Sequence, residues 1–341
     1  MSAITDHYDA ITREIVLPGI RDNFFYEHPV LDSLWKNRKT LDGGRLVDWS
    51  FFIDGNQNAQ TYKAFDQYLV KPIGFAKRAS LPWCHMVMPL MLSKIEMAMN
   101  KSNSSQSKLV DYISESINHA KRGFRERLSQ DLHGDGSTFS HPYWATKTEN
   151  PIVGLKKILS TDREYAGFDS STYTKLNPYV RTISASSDFG DLMTPGNEDY
   201  LPDILSEIIN ETDHGAGKIN MISGSIIMAE ALEKCAMHRE VRVVSNGGTG
   251  TEGHMGLSKT YFRDVEIMSD RDSMAGEMNL LNTKTIKLVV LAGHGLDFGS
   301  FEEFSTRDDI TASMLLSMQL VAEEPRTLGN ITGGPDDRTI T

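Results

Sequence analysis

At 341 residues with 39% hydrophobic side chains, the chain is long enough for two average domains or one large elaborated one, and it can bury a core. Its formal charge of −11 argues against a protein that captures nucleic acid by neutralising phosphates, a mode that needs Lys and Arg clustered on one face. With two cysteines far apart (Cys84, Cys235), no basic-then-apolar leader and no apolar run near the roughly 18 to 20 residues that cross a bilayer, a soluble, reduced, intracellular protein is expected.

In such a compartment the Asn-x-Ser/Thr matches at Asn103, Asn210 and Asn330 carry no glycan. Residues 1–44 read as an arm. A short helix is expected from Asp6 to Val16, stopped by Pro18 and Gly19, and another turn or two after Pro29, which suits a first helical position. From Leu46 the pattern alternates: Val47, Trp49, Phe51 and Ile53 on one face, Asp48 and Ser50 on the other, ending at the turn dipeptide Asp54-Gly55. A second extended run returns to Met88, with Pro72, Pro82 and Pro89 keeping it out of any helix or central sheet position. Leu46 to Met88 is therefore expected to be a long two-stranded projection. An isolated hairpin is marginal in water, so it must rest on its own globule or on a neighbouring subunit.

A long helix follows, expected over Ser107–His133. Leu109 or Val110, Ile113, Ile117, Ala120, Phe124, Leu128 and Leu132 recur at the spacing of one helical stripe. Serines in "SNSSQS" offer caps, Asp111 and Glu115 sit at the positive end, and Gly134 stands just past the last turn. At about 1.5 Å per residue it spans roughly 40 Å, most of the width of a globule of this length. Its polar side, with Glu115, His119, Lys121, Arg122, Arg125, Glu126 and Arg127, reads as a solvated or subunit-facing surface.

After a turn-rich link, "GLKKILS" from Gly154 suggests a short helix, and then strands and helices alternate. "YVRTISAS", "KINMIS", "VRVVS", "KTYFRDVEIMSD" and "TIKLVVLA" read as strands; "LPDILSEIINET" and "GSIIMAEALEKCAMH" read as helices. One final extended run, Ser313 to Ala322, is stopped by Glu323, Glu324 and Pro325. The fold class is α+β.

Motifs for chemistry are weak. Gly248, Gly250 and Gly253 match G-x-G-x-x-G after a predicted strand, but a β-branched, aromatic segment follows where a phosphate-binding loop must open a helix. A glycine-rich hairpin loop is the simpler reading. Cys84-His85 and Cys235-x-x-His238 are each half of a zinc site at most. His133, Asp135 and His141 cluster near the end of the long helix, where the glycines better suit a helix stop. Glu302-Glu303 and Glu323-Glu324 read as surface charge. No catalytic residue, cofactor site or metal site is assigned.

The order of parts resembles the major capsid protein of tailed double-stranded DNA phages, the Hong Kong 97-like fold. The likeness is carried by that order and by "GGRLVDW" entering the projection, "LVDYI" opening the helix, "GDGS" closing it and "GLKKIL" soon after. It implies an N-terminal arm (1–44), an extended loop (45–92), a peripheral domain (93–150 and 301–341) with a spine helix at 107–133, and an axial domain (151–300). It also implies a structural, non-enzymatic head protein that assembles with itself as hexamers and pentamers into an icosahedral virion shell, formed in the host cytoplasm and holding DNA by confinement. Only 106 residues precede the expected spine, all used by arm and projection, so scaffolding is expected from a separate protein, alongside a portal and a possible decoration protein. Lys63 and Lys71 lie in the projection without marking a cross-link. Two alternatives stand beside this reading: an encapsulin-like compartment shell, and a nucleotide-binding enzyme using the Gly248–Gly253 loop.

Overall fold

The computed structural model describes residues 28–52, 61–63, 65, 67, 76–95, 112–136, 152–184, 187–213, 217–238, 260–298, 302–303 and 309–335. In chain order these hold α1 (Pro29–Lys36), β1 (Lys39–Leu41), β2 (Leu46–Phe52), β3 (Ala76–Pro82), β4 (Cys84–Ser93), α2 (Tyr112–His133) and α3 (Leu155–Ile158). There follow β5 (Glu164–Tyr165), β6 (Phe168–Asp169), β7 (Tyr179–Thr182), α4 (Leu201–Thr212), β8 (Met221–Gly224), α5 (Ile226–His238), β9 (Thr260–Phe262), β10 (Val265–Ser269) and β11 (Met278–Leu281). The last strands are β12 (Ile286–Phe298), β13 (Glu302–Glu303), β14 (Asp309–Ala322) and β15 (Gly329–Thr332).

One sheet has five strands. Its order is β1-β12-β14-β13, and β4 pairs with β14 on the other side. The β4–β14 ladder is antiparallel and unbroken from Ser93↔Asp309 to Cys84↔Met318. Pro89, opposite Ser313, is tolerated because β4 has no second partner among the described residues, and an edge strand does not need the missing donor. Against one face lies α2, whose Ala120, Phe124, Leu128 and Leu132 are buried at the expected spacing. Phe124, Leu128 and Leu132 join Cys84, Leu288, Val290, Met314, Leu316 and Met318 in a single core. The expected helix residues 107–111 lie outside the described residues, as do the side chains of the first turn.

The second sheet has six strands in the order β7-β15-β11-β8-β10-β9, with parallel pairs β7–β15 and β8–β10. Leu201, Ile204, Leu205 and Ile208 of α4 and Met228, Ala231 and Leu232 of α5 bury against Ile222, Met278, Leu280 and Ile331. Gly329 is where α4 comes closest: a Cβ there would stand 2.3 Å from Ile208 Cγ2.

Several expectations change. β12 lies at the heart of the five-stranded sheet, not in the 151–300 body. Its Leu288 and Val290 face the main core while Val289 joins Val47, Trp83 and Val321 on the opposite face, so it is apolar on both sides as a central strand must be. β4 belongs to the same sheet although the projection was expected to run to residue 92, because its alternate residues Cys84, Met86 and Met88 pack on the core. Residues 28–41 are not an outlying arm: Val30, Leu31 and Leu34 are core residues, and β1 pairs in parallel with β12. After β14 the chain adds one further strand, β15, to the other sheet. "KTYFRDVEIMSD" is a tight hairpin rather than one strand, since Arg263 and Asp264 both take positive φ (47° and 67°), the pair of left-handed residues that a two-residue turn requires. The expected helix Asp6–Val16 and strand "VRVVS" lie outside the described residues.

Candidate assembly surfaces

The β2–β3 hairpin pairs from Leu46↔Pro82 to Phe52↔Ala76. Its apolar face alternates as expected: Val47, Ala79 and Leu81 are buried at its base, and Trp49 and Phe51 continue outward. Those two rings do not project freely. Phe51 meets Phe168 edge-on at 4.7 Å, Trp49 stands 6.0 Å from Tyr165, and Phe168 in turn meets Tyr173 at 5.2 Å. Lys77 caps Tyr173, 4.6 Å above its ring. On the polar face Arg78 pairs with Asp48. The chain's own β5–β6 loop thus supports the hairpin base, a platform no local pattern announced. Further out, Tyr62 is 72% exposed and Phe65 wholly so.

Tyr165 also secures the end of β14. Its buried hydroxyl accepts a hydrogen bond from Ala322 N–H at 2.8 Å, and burial pushes its ionisation far above the ordinary phenol range. Arg163 lies 5.0 Å over the ring, and burial lowers its pKa to about 10 despite the opposing pull of Tyr165.

The face of the β4–β14 ladder turned away from α2 is apolar and open. Val87 and Met91 are each 59% exposed and Leu315 is 42% exposed, with Leu315 directly opposite Val87. Soluble monomers rarely leave a contiguous apolar strip of this kind bare. At one end the strip turns polar, where His85 Nδ1 lies 2.8 Å from Ser317 Oγ, itself 3.3 Å from His294 Nδ1. The polar side of α2 presents His119, Lys121, Arg122 and Arg125, the last paired with Asp32 of α1.

The residues weighed for chemistry are not brought together. Cys84 is in the core, and the Cys235 thiol donates to Leu192 O at 3.6 Å. Glu323 pairs with Lys287 at 2.6 Å, Glu324 lies 4.0 Å from Arg326, and Glu302 is on β13. Gly248, Gly250, Gly253 and His141 lie outside the described residues, as does the His238 side chain. His133 is buried, with Nδ1 2.9 Å from the Ser129 carbonyl and Nε2 3.8 Å from Asp270 Oδ2, beside a group formed by His28, Asp270 and Asp272. The Asp-x-Asp of "SDRDS" at 269–273 was the one readable trace of that group.

The described residues thus form a long helix laid on a five-stranded sheet whose central strands come from late in the chain, a second mixed sheet, and a two-stranded hairpin. No protein-family model matches the chain, and no curated protein sequence matches it. Solved structures do. The capsid of cyanophage A-1(L) superposes with a TM-score of 0.69 at 15% identity, over 95% of this chain and 96% of that one. The capsid of the native GTA particle gives 0.59 at 9% identity, over 97% and 98%. The holo-SrpI encapsulin of Synechococcus elongatus gives 0.53 at 12%, over 95% of each. The chain has the Hong Kong 97-like fold of phage capsid proteins that its sequence resemblance implied.

Proposed function

We propose that this chain is a major capsid protein, a structural and non-enzymatic subunit that assembles with itself as hexamers and pentamers into the icosahedral shell around a double-stranded DNA phage genome. The observation that carries the reading is end-to-end agreement with a phage capsid subunit, 95% of this chain on 96% of the other, in a molecule that leaves an apolar sheet face and the aromatics Tyr62 and Phe65 uncovered. In this reading the five-stranded sheet and α2 are the peripheral domain and its spine, the six-stranded sheet is the axial domain, and the hairpin with residues 53–75 is the extended loop. The exposed strip on β4 and β14 is covered by a neighbouring copy. The charge of −11 fits a shell that holds DNA by confinement and offers no phosphate-neutralising groove. In this reading its partners are a separate scaffolding protein, a portal and a decoration protein, and the shell is built in the host cytoplasm.

The test is assembly. Full-length protein, expressed alone and with its scaffolding partner, is expected to give rings or closed shells of megadalton mass by electron microscopy and light scattering. Monomers and dimers under every condition overturn the proposal. The encapsulin reading is favoured only by the similarity to the SrpI shell, at a TM-score of 0.53 against 0.69 for the cyanophage capsid. Nuclease-protected genomic DNA in particles from a producing host decides for the phage shell; co-purifying enzyme cargo decides for the compartment.

A further inference from the structure

Where the two sheets meet, three segments remote in sequence converge: His28 just before α1, His133 in the last turn of α2, and the loop Asp270–Ser273 that follows β10. One donor atom each from His28, Asp270 and Asp272 lies within 4.8 Å of the other two. His28 Nδ1 is 2.8 Å from Asp272 Oδ2, and His133 Nε2 is 3.8 Å from Asp270 Oδ2. The side chains of His133 and Asp270 are 2% and 0% exposed.

Two of these atoms, His133 Nε2 and Asp272 Oδ2, are buried without a hydrogen-bond partner. His133 Nδ1 lies 2.9 Å from the Ser129 carbonyl and donates its proton there. In the neutral ring that assignment leaves Nε2 a bare lone pair, and Nε2 has no hydrogen-bond partner although it is buried. It points at a carboxylate oxygen, another lone-pair atom. Asp272 Oδ2 is likewise buried and unpartnered, its short approach to His28 notwithstanding, because the contact is not aligned as a hydrogen bond. Asp270 is held in place by its backbone: Oδ1 accepts from Asp272 N–H at 3.1 Å and Oδ2 from Val30 N–H at 3.5 Å. Arg271, between the two aspartates in sequence, is exposed. Buried groups of this kind are normally paired or coordinate a cation.

We propose that His28, Asp270 and Asp272 form a site for one divalent transition-metal ion of the zinc or manganese class, with His133 packed beside it against Asp270. Mixed imidazole and carboxylate donors select such ions over calcium or magnesium, which take oxygen alone. Donors around a tetrahedral ion with bonds of about 2.0–2.1 Å sit roughly 3.3 Å apart; His28 Nδ1 and Asp272 Oδ2 are 2.8 Å apart, and the three donors all lie within 4.8 Å of one another. The Ser129 carbonyl holds His133 Nδ1–H, so that Nε2 is turned toward Asp270. The ion ties the residue before α1 to the loop that follows β10 of the six-stranded sheet, and so braces the five-stranded sheet against the other. Its use in setting shell geometry rests on the capsid reading; the site itself does not.

Full-length protein stripped with EDTA and dialysed is titrated with ZnCl2 and, separately, MnCl2. Calorimetry and elemental analysis are expected to give one ion per chain, with a melting temperature that rises with the logarithm of free metal and falls again with EDTA. Co2+ in the same site gives d–d bands of low-symmetry N/O coordination. Asp272→Asn and His28→Gln are each expected to abolish the metal-dependent rise while keeping the metal-free melting transition; the second stands in if the first does not fold. No bound ion with either metal, as for a cluster balanced by protons on its histidines alone, overturns the proposal, as does a full-sized rise in both variants. Metal binding without shell assembly keeps the site and sinks the capsid reading.

Discussion

Gln319 of β14, fully buried, donates through Nε2 to the carbonyl of Pro82 at 2.8 Å. Its Oε1 accepts from Val153 N–H at 2.9 Å and from Leu320 N–H at 3.0 Å. One amide therefore joins the last strand of the five-stranded sheet to the foot of the hairpin and to the segment entering α3. Gln319→Leu removes all three partners at once. With each orphaned buried group costing about 1–3 kcal/mol, a loss of at least about 3 kcal/mol is expected in denaturant unfolding. A change below about 1 kcal/mol would show that these groups find other partners.

Phe124 is 2% exposed between α2 and the sheet. Phe124→Ala is expected to cost about 3–5 kcal/mol, and Phe124→Asp, which places an unpaired charge there, to prevent assembly altogether. Normal shells from the aspartate variant in electron micrographs would mean that α2 is not the strut between subunits.

Gly154 lies against the end of α2 so tightly that a Cβ would stand 2.1 Å from Gly134 O. No flexible side chain is available to yield. Gly154→Ala is expected to destabilise by at least the 1–3 kcal/mol typical of overpacking, read as a fall in melting temperature, whereas Gly167→Ala, with open space at its Cβ, is limited to the strain of its positive φ.

The exposed strip supplies a test that separates folding from assembly. Val87→Asp and Leu315→Asp are expected to change subunit stability by no more than about 0.5 kcal/mol, as surface substitutions do. Sedimentation of the same proteins is expected to show shells replaced by free subunits or capsomers. Shell yield equal to wild type would remove this face from the interface.

Tyr179 donates to the carboxylate of Glu207 on α4, and that hydrogen bond is the largest cause of its raised pKa. A phenol with a raised folded-state pKa contributes stability below its unfolded value and loses it as pH climbs through the folded one. The pair is mostly exposed, so its contribution is held under about 1 kcal/mol. Tyr179→Phe is expected to melt slightly below wild type at neutral pH, with the gap closing above about pH 10; a gap that widens there would contradict the sign.

Much of the architecture was legible because its causes are local. The stripe Ala120, Phe124, Leu128 and Leu132, Pro29 at a helix start, the alternation Val47-Trp49-Phe51 and the helix Leu201–Thr212 each follow from side-chain period and backbone preference within one segment. Strand partnership is not local. "TIKLVVLA" is equally apolar whichever sheet receives it, and only burial on both faces, with β14 on one side and β1 on the other, decides that it is central to the five-stranded sheet. "GNIT" is too short and too rich in weak strand formers to be read as β15; Gly329 is there because α4 leaves no room for a Cβ.

The sequence by itself determined the element types, the acidic character and the order of parts by which a capsid-like fold could be expected. Tertiary structure alone decided how those elements divide between two sheets, what the hairpin rests on, and which remote polar atoms face each other. The physical reason is that period and propensity act over a few residues, whereas the meeting of His28, Asp270 and Asp272, with His133 beside them, depends on chain segments up to 244 positions apart being packed against one another.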